Sequence, residues 1–194
     1  MEVGRKVFDA AMVLLLSSRR DNRGRMTVAC SEEELANLGL AAPGTQAEDG
    51  MQAEADTGFA FTPRETRTYL MEKRGTFFGI HYREEADPLA KLVSVASGRG
   101  MDFLVDLRPE SPTYLAWEAL ELSAENALAV YVPAGIGHAF ISLEDNTVQV
   151  FLLDACGANG RSKQLNYKEP RIGLELPIEV TEISDYDAAA PYLE

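Results

Sequence analysis

The stretch Tyr131–Phe140, YVPAGIGHAF, places a proline, two glycines and a histidine inside an otherwise apolar run. Pro133 and Gly135 predict a tight bend between two strands, and His138 then begins the second of them. The chain has 2 histidines in all, His81 and His138. The pattern alone leaves two interpretations of His138 open: a group that takes part in chemistry, or a histidine packed in the core.

The sequence around this stretch predicts an all-β fold. From Phe59 onward, short runs of Val, Phe, Tyr, Leu and Ile alternate with Gly, Pro, Asp and Asn. Several short strands separated by turn residues are typical of a β-sandwich or barrel. Within this region, residues 92–107, LVSVASGRGMDFLVDL, predict a hairpin that turns at residues 97–100.

The N-terminal part of the chain predicts fewer elements. Met12–Leu16 reads as a buried strand. Ser31, followed by three glutamates, predicts a short helix that ends near Gly39, because serine caps helices and acids favour their first turn. Residues 41–58 are small, polar and acidic, which predicts a flexible loop inserted into the domain.

Length and charge narrow the class of protein. The 194 residues suit a single domain over residues 1–194. The net charge of −13 argues against nucleic acid as a partner, which needs clustered positive charge. The apolar run Ala10–Leu16 is too short to cross a bilayer and lacks a cleavage site, so we expect no membrane association and a cytoplasmic protein. Cys30 and Cys156 predict neither a disulfide framework nor a zinc site.

The spacing of Pro133, Gly135 and His138 resembles the second conserved segment of cupin barrels, P-x-G-x-x-H. A metal-binding cupin of that type would carry three histidines, whereas this chain has 2. A site made from His81, His138 and a carboxylate remains an open alternative. We expect no metal and no cofactor.

A larger set of stretches resembles the dTDP-4-dehydrorhamnose 3,5-epimerase family, a cupin family that works without metal. The resemblance runs from about Gly75 to Pro177, and the turn Asp21–Gly24 resembles the D-E-R-G turn of the family. It leaves out the 41–58 segment and the last fifteen or so residues. It implies a homodimer and a cupin-type antiparallel β-barrel (a double-stranded β-helix, or jelly roll) with short peripheral helices. The matching stretches, in order, are GTFFGIHY, AKLVSVASG, MDFLVDLR, LSAEN, VPAGIGHAF and YKEPRIGLELP.

The resemblance also implies a reaction. Enzymes of the family remove a proton beside a ketone of a nucleotide-linked sugar and return one from the other face of the ring. It implies His81 as the base, since imidazole titrates near neutral pH. Glu169, in Tyr167–Pro170, would orient that base. Lys91 would stabilise the enolate oxygen, and Asp102 would support Lys91.

The same resemblance implies substrate contacts and exposes two departures. His138 would touch the substrate, and Arg23 would hold its diphosphate. Phe78 stands where the family has an arginine, and Phe151 stands where it has the tyrosine that acts as the acid. Both would line the substrate pocket. The side chains that are chemically able to compensate for these losses are Arg67, Tyr69, Tyr82, Arg83 and Tyr131.

These observations leave three hypotheses. The first is an epimerase of nucleotide-linked 4-keto-6-deoxysugars, which acts without metal. The second is a cupin that binds a sugar or nucleotide ligand without turning it over, which Phe78 and Phe151 would favour. The third is a metal-dependent cupin enzyme, against which the small number of histidines speaks.

Overall fold

A computed structural model describes residues 1–40, 61–156 and 162–194. The predicted loop at residues 41–58 lies outside the described residues. The described part contains two short helices, α1 (Glu32–Asn37) and α2 (Asp185–Ala188). Its strands are β1 (Glu2–Val7), β2 (Ala11–Leu15), β3 (Ser18–Asp21), β4 (Gly24–Thr27), β5 (Glu65–Met71), β6 (Thr76–Tyr82), β7 (Lys91–Ser97), β8 (Arg99–Asp106), β9 (Trp117–Ser123), β10 (Leu128–Val132), β11 (Ile136–Ser142), β12 (Thr147–Leu153), β13 (Lys163–Gln164) and β14 (Glu182–Ile183).

The described strands form two six-stranded sheets and one small hairpin. The first sheet has the order β1-β2-β10-β7-β12-β5, and the second has the order β13-β6-β11-β8-β9, with β14 also paired to β6. Strands β3 and β4 form the separate hairpin. The predicted all-β fold of jelly-roll type with peripheral helices is therefore confirmed. Its two sheets face each other and are not joined by backbone hydrogen bonds into one closed barrel.

The main core lies between the two sheets. Because side chains alternate between the faces of a strand, each sheet contributes every second residue to this layer. The first sheet supplies Val93, Val130 and Phe151, and the second supplies Leu104 and Phe140. These side chains form one buried cluster between the two sheets.

Each sheet is also covered on its outer face. Residues from α1 and the segment after it pack on the first sheet, where Leu35 and Phe61 meet Leu14. The C-terminal part packs on the second sheet, where Leu165 meets Phe103. No helix in the described ranges is long and apolar enough to cross a membrane.

The helix predicted at Ser31 is present. The Oγ atom of Ser31 accepts a hydrogen bond from the Glu34 N–H at 3.1 Å, which satisfies one of the free amides of the first turn. The helix ends before Gly39, which adopts a φ of 65°. The predicted strand at Met12–Leu16 is also present, as β2.

The hairpin predicted at residues 97–100 is wrong. Strands β7 and β8 do lie on either side of Gly98, but β7 pairs with β10 and β12, and β8 pairs with β9 and β11. The chain therefore passes from one sheet to the other at Gly98, whose φ of 71° suits glycine.

The C-terminal segment returns to the second sheet. Strand β14 pairs in parallel with β6, with Glu182 opposite Thr76 and Ile183 opposite Phe77. Helix α2 follows at once and packs beside β6. This pairing brings the last residues of the chain next to the strand that carries His81.

Candidate active site

A cavity of about 400 Å³ opens between the two sheets. His81, on β6, belongs to the second sheet, and Asp187 of α2 lies beside it. The facing wall comes from the first sheet and carries Tyr69 on β5, Lys91 on β7 and Phe151 on β12. A ligand in this cavity would therefore have His81 on one side and a mixed polar and aromatic wall on the other.

The imidazole of His81 is held by Asp187. Its Nε2 atom lies 2.6 Å from Oδ1 of Asp187, and the aspartate side chain is only 3% exposed. The other carboxylate oxygen accepts from the Gly79 N–H at 3.3 Å. Because a carboxylate only accepts, the proton of the short contact sits on Nε2, and Nδ1 keeps its lone pair. A histidine oriented in this way can take a proton from a ligand.

Helix α2 fixes the position of this aspartate. The Oγ atom of Ser184 caps the helix and accepts from the Asp187 N–H at 3.0 Å. Its backbone and its carboxylate are thus both tied down before any ligand arrives. Asp187 is not among the residues predicted from the sequence, because the stretches that resemble the family end at Pro177. The sequence did contain a sign of the helix that carries it, since Ser184 is followed by Asp185 and Asp187, and a serine followed by acids is typical of a helix start.

The contact expected between Glu169 and His81 is not formed. The carboxylate of Glu169 accepts from the backbone N–H groups of Arg171 at 3.0 Å and Leu193 at 2.9 Å. These two hydrogen bonds lower the pKa of Glu169. Glu169 therefore fastens the C-terminal segment to its own turn, and the carboxylate that contacts His81 is that of Asp187.

A second histidine–aspartate pair lies deeper between the sheets. The Nε2 atom of His138 is 2.7 Å from Oδ2 of Asp102, and neither side chain is exposed. Within the described residues, the second oxygen of Asp102 and Nδ1 of His138 have no hydrogen-bond partner. Both expected site residues are thus brought together, but the hydrogen bond of Asp102 goes to His138 rather than to Lys91.

Burial governs the charges of this inner cluster. It lowers the pKa of Lys91 to about 8, against the attraction of Asp102. It raises the pKa of Asp102, and Lys91 opposes that shift. It lowers the pKa of His138, and the charges of Lys91 and His81 act in the same direction. The cluster therefore favours a neutral His138 and a Lys91 that still carries its proton at neutral pH.

Aromatic rings surround the imidazole of His81. The Phe78 ring stands edge-on to it, with 4.5 Å between ring centroids, and Tyr186 lies at 6.1 Å. Phe151 is 5.7 Å from Phe78 and 6.3 Å from His138. Phe78 and Phe151 thus line the cavity between the two histidines, as expected, and make that part of it apolar.

A family model described as dTDP-4-dehydrorhamnose 3,5-epimerase matches residues 7–194. The chain belongs to this family. The match includes the C-terminal segment with Asp187, which the sequence motifs had left out.

Curated relatives carry related names. The dTDP-4-dehydro-6-deoxyglucose 3-epimerase of Streptomyces bikiniensis is 39% identical over 121 residues, which are 62% of this chain and 62% of that protein. The dTDP-4-dehydrorhamnose 3,5-epimerase of Streptomyces griseus is 36% identical over 122 residues, 62% of this chain and 60% of the relative. The alignments thus span less than two thirds of these relatives.

Solved structures of the family share the fold over nearly the whole chain. An epimerase from Bacillus anthracis, solved with TDP and PPi bound, superposes with a TM-score of 0.83 at 24% identity and covers 99% of both chains. ChmJ, a 3'-monoepimerase from Streptomyces bikiniensis solved with dTDP-quinovose, gives a TM-score of 0.78 at 29% identity. That comparison covers 94% of this chain and 83% of ChmJ.

Arg23 does not join the other expected site residues of this family. It lies on the β3–β4 turn, where its guanidinium pairs with Asp21 at 2.6 Å, and its side chain is 85% exposed. It lines a separate surface hollow together with Arg19 and Arg25, and it is not among the described residues that line the His81 cavity.

The side chains expected to compensate for Phe78 and Phe151 are now placed. Tyr131 lies on the outer face of the first sheet, 6.0 Å from the Phe61 ring, and is remote from the cavity. Tyr82 and Arg83 line the cavity on the side of His81, and Arg67 and Tyr69 line the facing wall. Within residues 1–40, 61–156 and 162–194, no three His, Cys, Asp or Glu side chains are grouped so that they could hold a metal ion.

Proposed function

We propose that the protein is an epimerase of nucleoside-diphosphate-linked 4-keto-6-deoxysugars. The observation that carries the proposal is the hydrogen bond between His81 and Asp187 at the wall of a cavity that Lys91 also lines. A C–H bond beside a ketone is acidic enough for a base to remove its proton, and a cation on the facing wall can stabilise the enolate oxygen that forms. The names of the family and of its curated relatives support the same substrate class.

The proposed mechanism begins with the base. Nδ1 of His81 removes the proton beside the ketone, and the electrons of the C–H bond move to the carbonyl oxygen. Asp187 stabilises the imidazolium that forms. The Lys91 ammonium stabilises the enolate oxygen, since a pKa of about 8 leaves most of this side chain protonated at neutral pH.

The remaining residues would support Lys91 or bind the substrate. The structure corrects the expected substrate contact of His138, because His138 and Asp102 are fully buried and are not among the described residues that line the cavity. This pair would act through Lys91, whose charge Asp102 would support. Phe78 and Phe151 would pack against the apolar face of the deoxysugar. Arg23 would hold the diphosphate, as its forked donors suit phosphate oxygens. We further propose that the enzyme uses no metal or cofactor, binds no nucleic acid and acts in the cytoplasm.

We also propose that the enzyme is a homodimer. Arg23 supports this view, because it is not among the described residues that line the cavity of its own chain. If Arg23 holds the diphosphate of a ligand in that cavity, it would come from a second copy. The site would then be complete only when two chains meet.

A second candidate function is a cupin that binds the same ligand without turnover. Phe78 and Phe151 favour it, since both replace side chains that the resemblance assigns to binding and catalysis. The hydrogen bond between His81 and Asp187 favours the enzyme, because a binding protein has no need of an oriented base.

The test is proton NMR of dTDP-4-keto-6-deoxyglucose in D2O with the purified protein. We expect deuterium to enter at one or both carbons beside the ketone, and the number of carbons labelled distinguishes a single from a double epimerisation. The variant His81→Ala is expected to slow exchange by about 100-fold or more, because it lacks the base.

Calorimetric titration of the same samples with dTDP serves as the control for folding and binding. No exchange by the native protein, together with intact dTDP binding, would replace the proposal with the binding cupin. Exchange that persists in His81→Ala would show that another base acts.

A further inference from the structure

Inversion at a carbon needs two groups on opposite faces of the sugar. If His81 removes the proton from one side of the cavity, the new proton must come from the wall that the first sheet forms. On that wall Phe151 has no proton to give. The question is which other side chain of the first sheet reaches the cavity with a transferable proton.

The titratable side chains of the first sheet that line the cavity are Arg67, Tyr69 and Lys91. A guanidinium does not give up its proton in proteins, and Arg67 is paired with Glu65. Lys91 faces the Asp102–His138 pair, and its positive charge is needed at the enolate oxygen while the carbon is reprotonated. Tyr69 is the remaining candidate among these three.

The position of Tyr69 suits a donor. Tyr69 lies on β5, opposite Gln149 of β12, and Arg67 of β5 lies opposite Phe151. Tyr69 is therefore one pair of positions along the sheet from Phe151 and lines the same cavity. Its ring centroid is 5.8 Å from that of Phe78, and Phe78 in turn is 4.5 Å from His81. Tyr69 and His81 therefore flank one aromatic ring from different sheets.

We propose that Tyr69 donates the proton to the face of the enolate opposite His81, in place of the donor that Phe151 lacks. This inference rests on the proposed function and names a further catalytic residue for it. The hydroxyl keeps its proton at neutral pH, because burial and the charge of Asp187 raise the pKa of Tyr69. With 39% of the residue exposed, solvent can restore the proton after each turnover.

The enolate electrons re-form the carbonyl, the carbon takes the proton from the Tyr69 O–H, and a new C–H bond forms as the phenolate is left. Water returns a proton to the phenolate, and the imidazolium of His81 releases the proton that it took. The net change is inversion at the carbon, with no oxidant and no reductant.

The test separates proton removal from inversion. Tyr69→Phe, which loses only the hydroxyl, is incubated in D2O with dTDP-4-keto-6-deoxyglucose, and NMR follows both deuterium entry and the epimeric product. We expect deuterium entry at a rate comparable with the native protein, because His81 still removes and returns the proton on its own face. The epimeric product should form about 100-fold more slowly.

Three further variants make the test decisive. Tyr192→Phe removes the hydroxyl of an exposed tyrosine outside the cavity and should behave as the native protein. Phe151→Tyr, combined with Tyr69→Phe, should restore inversion by returning a donor to the same wall. Tyr186→Phe removes a hydroxyl that lines the cavity on the side of His81, and it should slow inversion much less than Tyr69→Phe does.

Unchanged inversion in Tyr69→Phe would overturn this inference while the proposed function stands. The same conclusion would follow if inversion were lost in Tyr186→Phe but kept in Tyr69→Phe. Loss of exchange and inversion together in Tyr69→Phe would also overturn it, since the hydroxyl would then act in proton removal or binding. If the native protein exchanges no proton at all, the proposed function fails and this inference fails with it.

Discussion

Two neighbours hold the imidazole of His81 in place. Asp187 accepts its Nε2–H at 2.6 Å, and the plane of the Phe78 ring stands at 90° to that of the imidazole. A side chain that is restricted from both directions loses little further conformational freedom when a ligand arrives. Such prior positioning favours efficient proton transfer, because the base need not be ordered during the reaction. The aspartate also selects the tautomer of His81, so its removal should lower the rate of proton transfer.

We therefore expect Asp187→Asn to reduce the rate of solvent deuterium entry into the sugar by about 100-fold or more, because an amide can present an N–H to the ring and favour the wrong tautomer. Glu169→Gln is the matched variant, in which the other candidate carboxylate is neutralised. It should leave the exchange rate comparable with the native protein, since among the described residues the Glu169 carboxylate accepts from backbone amides and not from His81. Equal losses in the two folded variants would contradict the assignment of Asp187.

The sequence identified most of these side chains but not their partners. His81, Asp102 and His138 lie on neighbouring strands of the second sheet, and Lys91 lies on β7 of the first sheet, which faces them. The resemblance named all four of these side chains. Their register follows from local pairing, as His138 lies directly opposite His81. The Asp187 contact joins residues 106 positions apart, and the E-P dipeptide at Glu169 offered a nearer match to the family motif. The spacing of residues along the chain does not predict which of two carboxylates, both far from His81 in sequence, will contact it in the fold.

Among the secondary-structure elements, the short helix was predictable and the strand partners were not. Ser31 and the acids that follow it act within one helical turn, so the residues that predict the helix are the same residues that stabilise it. Alternation of apolar residues correctly predicted β7 and β8 as strands. It carries no information about which strand each one pairs with, and a jelly roll separates consecutive strands between two sheets.

The crossing between sheets should be sensitive to substitution at Gly98. A Cβ atom there would lie 2.6 Å from Oγ1 of Thr147, in a backbone with a φ of 71°. We expect Gly98→Ala to lower the free energy of unfolding by about 2–3 kcal/mol, through backbone strain and crowding together. Urea denaturation would measure the change.

Gly173→Ala is the control for strain alone. It has a φ of 62°, and the nearest atom to its Cβ would lie 3.9 Å away, so we expect a loss of about 1 kcal/mol. Equal losses at the two glycines would mean that Thr147 moves aside and that crowding contributes nothing at the crossing.

For the molecule as a whole, the proposed homodimer would have to bring together Arg23 and the cavity that holds His81. Arg23 lies on the β3–β4 turn, and the cavity with His81 lies elsewhere on the same chain. An acidic protein, with a net charge of −13, needs local cations to hold an anionic ligand. A partner's hairpin would add such a cation at the mouth of the site.

This arrangement predicts complementation between two inactive variants. Arg23→Ala and His81→Ala should each have low activity, whereas a refolded equimolar mixture should recover up to about a quarter of the native sites, because half of randomly paired dimers hold one intact site. Light scattering would check that dimers form, and product formation by NMR would measure recovery. No recovery in a mixture shown to contain mixed dimers would mean that each chain supplies its own Arg23 or does without it.

The late position of Asp187 in the chain has a consequence for synthesis. On the ribosome, both sheets can pair through their long strands before the residues that follow Pro177 have emerged, yet His81 lacks its aspartate until β14 and α2 have docked. The His81–Asp187 pair is thus the last part of this site to be assembled, and the proposed proton transfer would begin only when the C-terminal segment has reached its place. A nascent or clipped chain that retains both sheets but lacks α2 would have a His81 without its aspartate.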